Sequence, residues 1–83
     1  MKDRIGQRLL VRRRNLGLSQ EEVARRANIS LQQMGRIERG ESDPKLKTVQ
    51  DLAVALDTTV AYLSGETTDK TGPVQRMTGT NGM

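Results

Sequence analysis

Residues 19–40 read SQEEVARRANISLQQMGRIERG, and they hold two helix start signals almost back to back. Ser19 has the chemistry of an N-cap, Glu22 stands three residues on, and Leu18 and Val23 bracket the pair. A capping hydroxyl, an acid or amide at the third helical position and an apolar pair closed across them make a capping box with a hydrophobic staple. The pattern repeats with Ser30 as cap, Gln33 at the third position, and Ile29 and Met34 as the staple. Signals this close leave room for a helix of only about two turns between them. The chain must therefore turn sharply at Asn28, a residue type that tolerates positive φ. The second of the two helices then covers about residues 30–39 and is closed by Gly40.

Outward from this pair the helix signals continue, and no segment alternates convincingly with a period of two. A first helix over about residues 3–15 places Ile5, Leu9 and Arg12/Arg13 on one face and stops at Gly17. Beyond Gly40, "ESDPK" is a loop with Pro44 as its breaker. A fourth helix follows over about residues 46–56, its apolar stripe being Val49, Leu52, Ala53 and Leu56. Thr59 can cap a short fifth helix, "VAYLS", that ends at Gly65. From Glu66 onward Thr, Gly, Asp, Lys and Asn leave almost nothing to bury, which reads as a flexible tail. The expected organisation is an all-α domain over residues 1–65 followed by a tail over 66–83.

Composition removes several function classes. At 83 residues the chain is one small domain near the lower limit for an unstapled core. It has no cysteine, which excludes disulfides and thiolate metal sites, and no histidine, the commonest general base and metal ligand. One tyrosine is its only aromatic residue, so base stacking on an aromatic platform is not available. No apolar run approaches a membrane span and Met1 leads into a charged segment, so a cytoplasmic chain is expected. Charge is unevenly distributed: residues 1–40 hold ten Lys/Arg against four Asp/Glu, while 41–65 hold two against four. Many of those arginines fall in the first helix. That basic half is either a solubilising surface or one that faces phosphates.

A short helix, a tight turn and a helix with a polar outer face outline a helix-turn-helix unit. Gln20 to Arg39, "QEEVARRANISLQQMGRIER", closely resembles the motif of the phage-repressor and Cro-like family, also called the XRE family. Ala24 stands where helix packing leaves room for a small residue, and Ile29, Met34 and Ile37 match the buried positions. The flanks "NLGLSQEEVARRA", "IERGESDP" and "LAVALDTTVAYLSG" extend the likeness over about residues 3–65. The resemblance implies a compact five-helix, lambda-repressor-like DNA-binding domain. Two positions depart from the pattern: Asn28 replaces the usual turn glycine, and Lys45 stands where Ser or Thr often caps the fourth helix.

Turning Met34 and Ile37 toward the core fixes the rotation of the third helix at 100° per residue. Gln32, Gly35, Arg36 and Arg39 then share the opposite face, with Leu31 at its flank. Leu31, Gln32, Gly35 and Arg36 are the expected base readers. Gln pairs with adenine and Arg with guanine in the major groove, each for about 1–3 kcal/mol of discrimination, and Leu can pack on a thymine methyl. Gly35 costs about 1 kcal/mol of helix stability relative to Ala, which a close approach to nucleic acid would explain. Phosphates are expected at Arg39, at Lys45 and, as the resemblance implies, at Gln20 on the second helix N-terminus. Ser30 and Gln33 carry lower weight as DNA contacts because capping already explains them. The family pattern further implies a partly buried ion pair between Glu38 and Arg13, with Arg13 turned toward a phosphate.

The leading expectation is a sequence-specific regulator of transcription, a repressor, that binds double-stranded palindromic operators as a homodimer without any cofactor. Exposed apolar residues of the fourth and fifth helices, such as Val60 and Leu63, are the expected dimer contact. The alternative is an antitoxin or interaction module on the same fold, its 66–83 tail folding on a protein partner. Catalysis is not expected from a chain with no His or Cys, no phosphate-cradling loop and little volume for a pocket.

Overall fold

Capping chemistry sets the helix boundaries. The computed structural model describes residues 2–67 and comprises α1 (Lys2–Asn15), α2 (Gln20–Ala27), α3 (Leu31–Glu38), α4 (Leu46–Ala55) and α5 (Val60–Ser64). No strand occurs among the described residues, and residues 68–83 of the expected tail lie outside them. Ser19 Oγ accepts the Glu22 amide at 3.0 Å, Ser30 Oγ the Gln33 amide at 3.0 Å, and Thr59 Oγ1 the Tyr62 amide at 3.1 Å. Glu22 does not complete the capping box. Its carboxylate turns to Arg25 and Arg26 on the same helix.

The helix ends are equally uniform. Asn28 adopts φ 60°, ψ 43°, donates its amide to Arg25 O at 3.2 Å, and lets the Ile29 amide reach Ala24 O at 2.9 Å. This is the paired closure that satisfies the last carbonyls of a helix when the next residue turns left-handed. Asp57 closes α4 in the same way at φ 52°, with bonds to Val54 O and from Thr58 N to Ala53 O. Arg12 braces that corner from α1, its Nε donating to Leu56 O at 2.9 Å and its Nη2 to Asp57 O at 3.0 Å.

The helices pack around one core. α1 lies against α3 and α5, α2 against α3 and α4, and α4 against α5. Ile5, Leu9, Val23, Ala24, Ala27, Met34, Ile37, Val49, Leu52, Ala53, Leu56, Tyr62 and Leu63 form the buried cluster. Of the two α5 residues expected at an exposed apolar contact, Leu63 is not exposed and Val60 is only half-buried. Leu63 is completely buried and Val60 packs against the core, because a helix this short has to turn its large residues inward to be held at all. Of these last two helices, α4 is the one with large apolar residues facing outward, Val54 at 81 % exposure and Leu46 at 63 %.

Gly6 determines how closely α1 crosses α3. A Cβ on this residue would stand 2.5 Å from Ile37 O and 2.8 Å from Glu38 O, so the helices meet backbone to backbone. That contact fixes the end of α3 against α1.

Candidate nucleic-acid interface

Two buried residues aim α3. Met34 and Ile37 are completely buried, so the helix rotates Leu31, Gln32 and Arg36 to the outside. Leu31 is 50 % exposed. Ser30 is the N-cap and Gln33 the half-buried residue whose amide it accepts, so both serve the start of the helix.

Behind α3 a charged cluster ties three helices together. Arg13 Nε donates to Glu38 Oε2 at 2.6 Å and its Nη2 to Oε1 at 3.2 Å, while Nη1 donates to Leu18 O at 2.9 Å. Gln20 Nε2 donates to the same Glu38 Oε1 at 2.7 Å. The Glu38 side chain is only 5 % exposed and that of Arg13 14 %. Arg13 is thus paired with Glu38 as the family resemblance implied, and it keeps a single free hydrogen on each terminal nitrogen. Gln20 is half-buried at the first position of α2, with its amide oxygen and second N–H left over after the Glu38 bond.

Gly35 also departs from expectation. It is buried, because the Arg39 side chain folds back over it: a Cβ on Gly35 would lie 3.0 Å from Arg39 Nη1. Side chains on a helix lean toward its N-terminus, so a long residue four positions later covers the turn where a glycine leaves space. Arg39 in turn donates to Glu41, Nε to Oε2 at 2.9 Å and Nη2 to Oε1 at 3.2 Å. These bonds hold the Glu41 carboxyl below the usual carboxylate range and raise Arg39.

The basic first half now divides by use. Arg8 lies over the Tyr62 ring at 5.1 Å and donates to Thr67 O at 3.2 Å. Arg12 braces the α4 corner, Arg13 joins Glu38, and Arg25 and Arg26 share Glu22. Most of these arginines thus hold the chain together, an outcome that neither the solubilising nor the phosphate-facing reading anticipated. Among the described side chains, the cations with neither a hydrogen bond nor an ion pair are Arg14, Arg36 and Lys45. Lys45 is exposed at the N-cap of α4 and makes no side-chain cap bond. No described helix is long and apolar enough to cross a membrane.

Similarity to known proteins agrees with this geometry. The helix-turn-helix family model HTH_3 matches residues 10–63. The immunity repressor protein of Bacillus phage phi105 is 36 % identical over 64 residues, covering 77 % of this chain and 44 % of that protein. An uncharacterized transcriptional regulator in the ATPase CF(0) region of Rhodospirillum rubrum is 40 % identical over 58 residues, 70 % of this chain and 54 % of its own length. The chain thus spans about half the length of these curated relatives. Among solved structures, the restriction-modification controller protein C.AhdI from Aeromonas hydrophila superposes with a TM-score of 0.72 at 35 % identity. That match covers 75 % of this chain and 94 % of C.AhdI.

Proposed function

The chain belongs to the HTH_3 helix-turn-helix family of DNA-binding transcriptional regulators, and from that premise we propose that it represses transcription by reading operator DNA with α3. The family consists of regulators and not of enzymes. The observation that carries the proposal is the outer face of α3: Leu31, Gln32 and Arg36 project from a helix whose other side is buried. Gln32 and Arg36 have no hydrogen bond or ion pair among the described residues. A helix of this kind fits the major groove, where Gln matches adenine, Arg matches guanine and Leu can touch a thymine methyl.

Around the readers, Gln20 at the α2 N-terminus and Lys45 at the α4 N-terminus supply phosphate contacts. The amide of Gln20 has a donor left over, and the backbone N–H groups of its helix add to it. Lys45 contributes a free cation. One recognition helix reads too few base pairs for specificity. The protein therefore acts as a homodimer on palindromic half-sites about one helical turn, roughly 34 Å, apart. Its site of action is the bacterial or phage-infected cytoplasm.

Selection of bound sites from a random duplex pool tests this reading. A palindromic consensus is expected, with log affinity falling linearly as log salt rises, by about 0.9 per phosphate contacted. A chain that enriches no sequence, and instead co-purifies with a protein partner, acts as an interaction module.

A further inference from the structure

Gly35 and Arg39 together pose a question that neither capping nor core packing answers. Gly35 stands in the middle of the outer face of α3, beside the reading residues Gln32 and Arg36, yet it is buried under a guanidinium from its own chain. A Cβ there would approach Arg39 Nη1 to 3.0 Å and Cζ to 3.8 Å. The guanidinium is held in place by Glu41, which takes the edge formed by Nε and one hydrogen of Nη2. The end edge, one hydrogen on each of Nη1 and Nη2, stays free. That edge matches the N7 and O6 acceptors of guanine in the major groove.

We propose that Arg39 reads a guanine, that Gly35 is the berth that lets its guanidinium lie on the reading face, and that Glu41 is the positioning residue that aims it. The inference rests on the DNA-binding reading above and changes the role expected of Arg39 from phosphate clamp to base reader. Two physical points separate these roles. A clamp gains nothing from a carboxylate beside it, since Glu41 would repel the phosphate it has to reach. A neutral base edge imposes no such repulsion. A clamp also needs reach more than direction, whereas reading a base requires a guanidinium already oriented, which two bonds to Glu41 supply. The opposed charges are mutually supporting: the Glu41 carboxyl is lowered chiefly by its hydrogen bonds with Arg39, and Arg39 is raised by the same bonds.

The test uses the full chain, sites selected from random duplexes, and dissociation constants for the selected duplex and each single-base-pair replacement of it. In Arg39→Ala the preference for guanine is expected to fall about tenfold at one position, within the range a bidentate pair provides, while other positions keep theirs. Glu41→Gln and Gly35→Ala should flatten that same position, and the double variant Arg39→Ala/Glu41→Gln should flatten it no further than Arg39→Ala alone. The proposal is overturned if Arg39→Ala weakens every duplex by one common factor, which is the behaviour of a clamp. It is equally overturned if Glu41→Gln tightens every duplex alike, which would make Glu41 a mere competitor of phosphate. Arg39 and Glu41 are exposed, so both outcomes can be read even where Gly35→Ala folds poorly. A parent chain that prefers no sequence is a different failure, because it removes the DNA-reading premise itself.

Discussion

Glu38 shows at the residue scale how one side chain joins the fold to the interface. Its carboxylate accepts two bonds from Arg13 and one from Gln20, and almost none of it meets solvent. Replacing it by Ala strands a buried guanidinium, and removing one partner of such a pair commonly costs about 3–5 kcal/mol. Glu38→Ala is therefore expected to lower the melting temperature sharply; a parent-like melt would show that the cluster contributes little. The Arg13–Glu38 pairing was accessible in the sequence only through family resemblance, because no periodicity links residues this far apart. The Gln20 bond was not accessible at all. Gly35 was placed correctly by helix rotation and wrongly by accessibility. The 100° rule locates a Cα, but it does not say that Arg39 is long enough to lie back over the glycine.

At the scale of the elements, local chemistry was legible and tertiary bracing was not. Ser19, Ser30, Asn28 and Thr59 act on amides and carbonyls within a few residues of themselves, so their roles could be read from the chain. Asp57 could not, because its left-handed turn is braced by Arg12 from a distant helix. Arg12→Ala removes charged bonds to two carbonyls at a part-buried corner and should destabilise the domain by about 1–3 kcal/mol, measured by urea unfolding. Gly6 is the converse case. Alanine normally stabilises a helix interior by about 1 kcal/mol relative to glycine, but here its Cβ would press on the Ile37 carbonyl at 2.5 Å. Overpacking against backbone should win, making Gly6→Ala less stable by about 1–3 kcal/mol; a higher melting temperature would contradict the close crossing of α1 and α3.

Glu22 gives α2 a pH signature. Its hydrogen bond from Arg25, then that from Arg26, hold its carboxyl below the ordinary value of 4.5. A depressed carboxyl stabilises the folded state above its unfolded value, and that contribution disappears as pH falls through the lower folded value. The stability difference between parent and Glu22→Gln should therefore be present at neutral pH and vanish in strong acid. A difference that stays constant across that range would show that the ion pairs are not its source.

For the whole molecule, the distribution of charge is less informative than its use. Composition drew attention to a basic first half, yet Arg8, Arg12, Arg13, Arg25 and Arg26 are engaged within the chain. A tally of charges cannot separate such residues from Arg36 and Lys45, since the distinction depends on which carboxylates and carbonyls the fold brings near. The five-helix order was legible because each helix carries its own start and stop. The proposed division between base readers and phosphate contacts required the packed structure. Lys45→Ala should weaken binding to all duplexes alike and lower the salt slope by about one contact, whereas a reader should act at one base position. The most direct test of the account is thus the affinity of parent and Arg36→Ala for the selected operator and its single-base-pair replacements. The account predicts that Arg36→Ala loses discrimination at one position and keeps it elsewhere. Loss by the same factor on every duplex would contradict it.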